Sequence, residues 1–324
     1  MNVKFTLLLF VLLGIFLPNG SLFAQQFPGT DENIPYLITF GQDGSTSWGD
    51  DDFSQTFFMS IPASQKDPVF IRIFDPDVGG EFDEVKGEFD TRCKFSVFGG
   101  KNCFTAKSAQ SHNPEGNYNS GTLLASKTFG QDPRYDGDWY TFGPFNPSEG
   151  EYIKEKDAYY FKVIADGISG DDGNIYKYFL SVRPNSNLKI EGGNAFTFEY
   201  TFRLPNEQSI CHIYPYVSEE VVSVQQYNFD WDGDGVIRIV SVSRKGEKVK
   251  MSTDDDWAIS KHPLVSAEKN TSLDIQLIKS SNVNNNNVVF RITNQYGEYL
   301  PFFSIPIGGP PAYKPEIKME PITN

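Results

Sequence analysis

Cysteine and histidine are both scarce, and neither is spaced for chemistry. The three histidines, His112, His212 and His262, stand far apart with no His-x-x-x-His or Glu-x-x-His spacing, which removes the usual zinc-hydrolase pattern. No Gly-x-Ser-x-Gly elbow occurs, and no glycine-rich phosphate loop follows a strand, so the common signatures of serine hydrolases and nucleotide enzymes are missing as well. A pair of carboxylates can cleave a glycosidic bond, but with 42 acids along the chain a pair of them identifies nothing. The reading is a protein that is not an enzyme, with a secreted hydrolase as the remote alternative.

Positive charge is also short. Lysine and arginine total 28 against those 42 acids, for a net charge of −14, and they form no basic stripe. Such a surface repels phosphate backbones, so nucleic acid is excluded as a partner. Long apolar runs are absent except at the start, where Lys4 precedes the run Phe5 to Leu17 and Ala24 precedes Gln25-Gln26. That order, a positive residue, a short apolar core and a small residue, is the layout of a secretory signal peptide spanning 1–24. The core is too short to cross a bilayer comfortably, and nothing later is long enough, so no transmembrane segment is expected. An exported protein follows: extracellular, at the cell surface, or periplasmic.

What remains is a chain of short apolar runs separated by Gly, Asn, Asp and Pro, the mark of an all-β protein. About 300 residues is long for one sandwich. The expectation is two β-sandwich domains in tandem, jelly-roll or Ig-like, at 25–185 and 186–307, meeting at the turn-rich Arg183-Pro-Asn-Ser-Asn-Leu188, with a Pro-rich tail at 308–324. Strands are expected over about 35–40, 55–61, 69–74, 92–98, 122–129, 159–165 and 176–182. In the second half, Phe196-Thr-Phe-Glu-Tyr-Thr-Phe202 alternates as one strand with its four aromatics inward, and further strands fall near 221–229, 236–242, 273–277 and 288–292. Cys93 and Cys103 flank Gly99-Gly100, which can turn a hairpin and join the two sulfurs. Such a disulfide would add roughly 3 kcal/mol in the chain-entropy model. Cys211 is left as a buried thiol.

The informative stretch is Asp75-Pro-Asp77-Val-Gly-Gly-Glu81-Phe-Asp83-Glu84, which follows the alternating run Val69 to Phe74. A strand opening into acids two apart makes an oxygen cage for a hard cation, and calcium, with six to eight oxygens in flexible geometry, suits a loop better than magnesium. If the strands at 55–61 and 69–74 form an antiparallel hairpin, the loop at 41–53 with Asp50 and Asp51 emerges at the same end. Clustered carboxylates repel by roughly 4 kcal/mol per pair 4 Å apart at an effective dielectric near 20. A divalent ion relieves that, and the competing reading is a solvated acidic rim. Asp136-Gly-Asp138 before an aromatic strand and the linker Asp166 to Asn174 add further acids. The latter's end of the sandwich is open, between two strands read as a hairpin. A third string, Asp230-Trp-Asp232-Gly-Asp234-Gly235, matches half an EF-hand loop. Its twelfth position is Ser241 and strands flank it, leaving a calcium-binding hairpin and a plain Asp-Gly turn as the two readings.

The strand ending in Asp-x-Asp with a further Asp a few residues on resembles the calcium loops of C2 domains. That resemblance implies Asp75, Asp77 and Asp83 as ligands. Asp138-Trp-Tyr-Thr-Phe142 and the later hairpin are similar to pre-peptidase C-terminal β-sandwich domains. Both resemblances cover only about residues 35 to 185. Every tryptophan has an aspartate within two residues, and Trp48, Trp139 and Trp231 are candidate ligand-facing rings for a glycan, with core packing as the alternative. The function expected is an exported binding or structural protein of the cell envelope, stabilised by calcium, its partner an envelope protein or a glycan as in a carbohydrate-binding module.

Overall fold

The computed structural model describes residues 25–45, 53–110, 120–253, 256–284 and 286–309. The expected signal peptide, Trp48, Asp50, Asp51 and nearly all of the Pro-rich tail lie outside them. In chain order the strands are β1 (Gln26–Phe27), β2 (Tyr36–Phe40), β3 (Ser54–Pro62), β4 (Val69–Phe74), β5 (Arg92–Gly99), β6 (Thr122–Phe129), β7 (Trp139–Phe145), β8 (Glu151–Ile153), β9 (Ala158–Ser169) and β10 (Gly173–Ser181). They continue with β11 (Asn194–Thr197), β12 (Glu199–Arg203), β13 (Ser209–Val217), β14 (Ser223–Phe229), β15 (Gly235–Val240), β16 (Lys245–Lys248), β17 (Ala258–Pro263), β18 (Thr271–Ser272), β19 (Asp274–Lys279), β20 (Asn287–Asn294) and β21 (Phe302–Phe303). Among the described residues there are short 3-10 turns and no α-helix, so no helix is long and apolar enough to cross a membrane. The protein is all-β.

Two large sheets hold these strands. One runs β17-β14-β20-β12-β2-β10-β4-β7, with β1 against β10; the other runs β16-β15-β19-β13-β21-β11-β3-β9-β5-β6, with β18 beside β13 and β8 beside β9. Pairing continues across the expected boundary at 185/186: Phe202 of β12 lies opposite Leu37 of β2, and Phe196 of β11 opposite Phe58 of β3. One apolar cluster correspondingly takes residues from both halves, from Ile71, Val97 and Tyr178 to Ile237, Ile275 and Phe290. At the seam a chain of rings joins them, with Phe57 5.0 Å from Tyr178 and 5.4 Å from Phe27, and Phe27 4.8 Å from Tyr200.

Several connections differ from the sequence reading in the same way. β3 and β4, β9 and β10, β14 and β15, and β19 and β20 are each consecutive but lie in opposite sheets. At each of them the chain arches across the sandwich; a hairpin is the sequence reading for the first two and one of two readings for the third. The run from Phe196 to Phe202 is likewise two strands. The chain leaves one sheet at Phe198 for the other, so Phe196 and Phe198 pack in a satellite cluster and Tyr200 and Phe202 in the main core.

The expected disulfide is also overturned. Cys93 and Cys103 are both free and buried. The hairpin that follows β5 does not turn back at Gly99-Gly100. It pairs β5 with β6, placing Gly99 opposite Thr122 and Cys93 opposite Phe129. Cys93 therefore stands six residues from the turn, roughly 20 Å along the strand at ~3.3 Å per residue. It faces the main core, while Cys103 packs with Phe98 and Ile164 in a separate cluster. Burial pushes both thiols up, that of Cys103 to about 12.

Candidate metal centre

β4 ends at Phe74, and Asp75 turns the chain at once with φ +55°, a conformation that aspartate tolerates better than most residues. Because β4 is antiparallel to β7, with Phe74 opposite Trp139, the loop after β4 meets the loop before β7. Asp75 N–H donates to the Asp138 carbonyl at 2.9 Å, and its Oδ1 accepts from Gly137 N–H at 2.7 Å. Asp77 Oδ2 accepts from Asp132 N–H at 3.1 Å. Asp83 folds back over the loop, its two oxygens accepting from Gly79 N–H and Ile175 N–H, each at 2.7 Å. Gly80 has φ +77°, and a Cβ there would sit 2.3 Å from a carboxylate oxygen of Asp136. Only glycine leaves that carboxylate its place.

The three predicted acids thus share one neighbourhood with Asp136. Burial pushes the Asp75 carboxyl up to about 7, with the charges of Asp77 and Asp136 adding to it and the Gly137 N–H and Lys177 opposing. Burial pushes Asp77 to about 6, with Asp136 and Asp132 adding. Asp83 is raised well above the carboxylate range, again chiefly by burial. Lys177 supplies opposing charge at Asp75, and its ammonium lies 4.5 Å from the Phe74 ring centroid. Asp75 is 0% and Asp77 2% exposed, yet Asp75 Oδ2 and Asp77 Oδ1 have no hydrogen-bond partner. Leaving a buried charged group unsatisfied costs about 1–3 kcal/mol or more, and two such oxygens in one acidic pocket are what a cation relieves.

The acidic loops do converge on one end of the sandwich. Asp43 N–H donates to the Gly170 carbonyl at 2.9 Å, and Gly170 N–H returns a bond to Asp43 Oδ2 at 3.1 Å. The linker between β9 and β10, whose end the sequence left open, is therefore at this end too. Its Asp172 holds the segment after Asp83, accepting from the N–H groups of Lys86, Asp90 and Thr91 at 3.0, 2.9 and 3.1 Å. Among the described residues, the one threesome of acids whose oxygens all lie within 4.8 Å of one another is Asp90, Asp171 and Asp172. The Asp75 set is more open. It is nevertheless the better candidate, since Asp172 already has three backbone donors while Asp75 and Asp77 each retain an oxygen with none.

The string at 230–234 is one of the arches between sheets. Asp230, Asp232 and Gly233 have φ +61°, +58° and +70°, so these residue types are needed to make the bend itself. Asp230 is buried and Asp232 exposed. Asp234 uses its carbonyl to accept from Ser280 N–H at 2.8 Å and Ser280 Oγ at 2.7 Å, and leaves its buried Oδ2 without a partner. The three carboxylates do not gather. Trp231, read as a possible ligand-facing ring, is wholly buried in the main core. Trp139 is half-buried, one face under the Arg72 guanidinium at 4.7 Å and its ring 5.5 Å from that of Phe74 at 62°.

Three features of this end were not assigned from the sequence. Asp136 was visible only as an acid before a strand, and the β4–β7 register is what brings it to Asp75. The bonds made by Asp172 left no signal. Glu84 forms a buried ion pair with Arg203 and accepts from Asn287 Nδ2 at 3.0 and 3.2 Å, while Arg203 donates to the Phe82 carbonyl at 2.9 Å. That pair ties the acidic loop to β12 and β20 of the second half. In comparisons with known proteins, the chain matches no family model and no curated relative.

Proposed function

We propose that this is an exported, non-catalytic binding or structural protein of the cell envelope, with a calcium ion holding the loops after β4 and before β7. The observation carrying the metal is the pair of buried, unpartnered oxygens of Asp75 and Asp77, in a pocket where Asp83 and Asp136 add further negative charge. Export rests on the order of residues at the start of the chain, and the binding role on loops that are elaborated at one end of a rigid sandwich, where recognition is commonly placed. The ion's work here is electrostatic: it lets the acids stay charged in a buried site and so fixes the loop that Asp83 folds. Equilibrium dialysis against calcium tests this directly. The wild-type chain is expected to bind the ion saturably and Asp75→Asn/Asp77→Asn to bind far more weakly. Equal uptake by the two would show that Asp75 and Asp77 do not hold the ion.

A further inference from the structure

Beside the acidic loop, along the seam between the halves, lies a cleft of about 560 Å³ lined by the segment around residues 26–36, by the end of β12 and by the tip of the acidic loop. Small-ligand sites span roughly 300–1,000 Å³ and favour junctions between packed units. Its lip is Glu81 and Phe82; the Phe82 ring is 36% exposed and stands 5.9 Å from that of Tyr36 at 52°, so the two form an aromatic corner. Across from them Asn206 and Glu207 are exposed. Arg203, the one cationic side chain lining the cleft among the described residues, is taken up by Glu84 and the Phe82 carbonyl.

Two exposed carboxylates and no uncommitted cation repel an anionic ligand. An exposed aromatic corner takes the C–H face of a pyranose ring, and carboxylates and a carboxamide bond its hydroxyls or amino groups. We propose that this cleft binds a neutral or amino-substituted oligosaccharide, with Tyr36 and Phe82 as the stacking surface and Glu81, Asn206 and Glu207 as its polar partners. This deepens the binding role proposed above and rests on it. The lip is built into the metal-site loop, since Asp83 takes Gly79 N–H and Ile175 N–H and so brackets Gly80 to Phe82.

Isothermal titration of the full chain in calcium with cellohexaose, mannohexaose and chitohexaose tests it. At least one sugar is expected to bind saturably, and Phe82→Ala and Glu207→Gln are each expected to weaken it by about tenfold or more, with Glu207→Gln leaving the melting curve unchanged. No saturable heat with any of the three up to millimolar concentration would overturn the proposal, as would binding that both variants retain. Chromatography of the sugar afterwards separates this from the non-catalytic reading. Intact hexasaccharide agrees with both, whereas cleavage in the wild type would overturn the non-catalytic reading and leave the ligand class standing.

Discussion

At the scale of single residues, burial decides most of the chemistry. Glu32 is wholly buried, with Gly29 N–H and the Tyr200 hydroxyl donating to it. Burial pushes its carboxyl up to about 8, with Asp31 adding a little and the two hydrogen bonds opposing. A carboxyl whose folded pKa is raised binds its proton more tightly in the native state. Its contribution to stability is therefore complete below the unfolded value near 4.5 and is lost as pH rises toward about 8. Glu32→Gln, which keeps an acceptor and stays neutral, is expected to flatten the fall in melting temperature over that window and to melt above wild type at pH 8. Parallel curves for the two proteins would contradict it. Nothing around Glu32 in the sequence announces this, because Tyr200 comes to it from 168 residues away. Trp231 teaches the same lesson in reverse: its acidic neighbours made it look exposed, yet those acids serve the bend and the ring fills the core.

At the scale of elements, strands were legible and their partners were not. Val69 to Phe74 alternates, and it is β4; Tyr36 to Phe40 is β2. Alternation says that a residue lies on a pleated surface, but a hairpin and an arch between sheets share it. Choosing between them takes pairs distant in sequence, such as Tyr178 with Ile73 or Gln55 with Ala165. Among the described residues, 41–45 and the segment after Asp83 share an end although the hairpin is lost, since an arch reverses the chain as a hairpin does. The Glu84–Arg203 pair is the element-scale clamp on the acidic loop. Removing one partner of a buried pair costs roughly 3–5 kcal/mol, whereas replacing both by apolar residues is often neutral. Urea unfolding is therefore expected to show Arg203→Met strongly destabilised and Glu84→Leu/Arg203→Met largely recovered. A double variant as unstable as the sum of its singles would show that the two residues do not act as a pair.

At the scale of the molecule, the seam matters more than the halves. The β2–β12 and β3–β11 pairings carry both sheets across it, and Phe27, Phe57, Tyr178 and Tyr200 carry the core. Scanning calorimetry of the full chain is expected to give one transition, with calorimetric and van't Hoff enthalpies equal. Two resolved transitions would mean that the halves melt independently. The sequence offered a turn-rich stretch at 183–188 as a boundary. Composition reports a surface loop there correctly, but carries no information on which strand edges meet beyond it.

Asp75, Asp77 and Asp83 hold an ion in the folded state if calcium raises the stability of the native protein alone. An ion bound only by the native state stabilises it by roughly 2.7 kcal/mol at a hundredfold excess over its Kd, and large domains gain about 2–4 °C per kcal/mol. The decisive measurement is the melting temperature of the full chain in calcium and in chelator, beside Asp75→Asn/Asp77→Asn. The wild type should rise by several degrees in calcium and fall back in chelator. The double variant should show almost no such shift and, relieved of repulsion, should melt at or slightly above the ion-free wild type. A wild-type curve that is the same in calcium and in chelator would contradict the account.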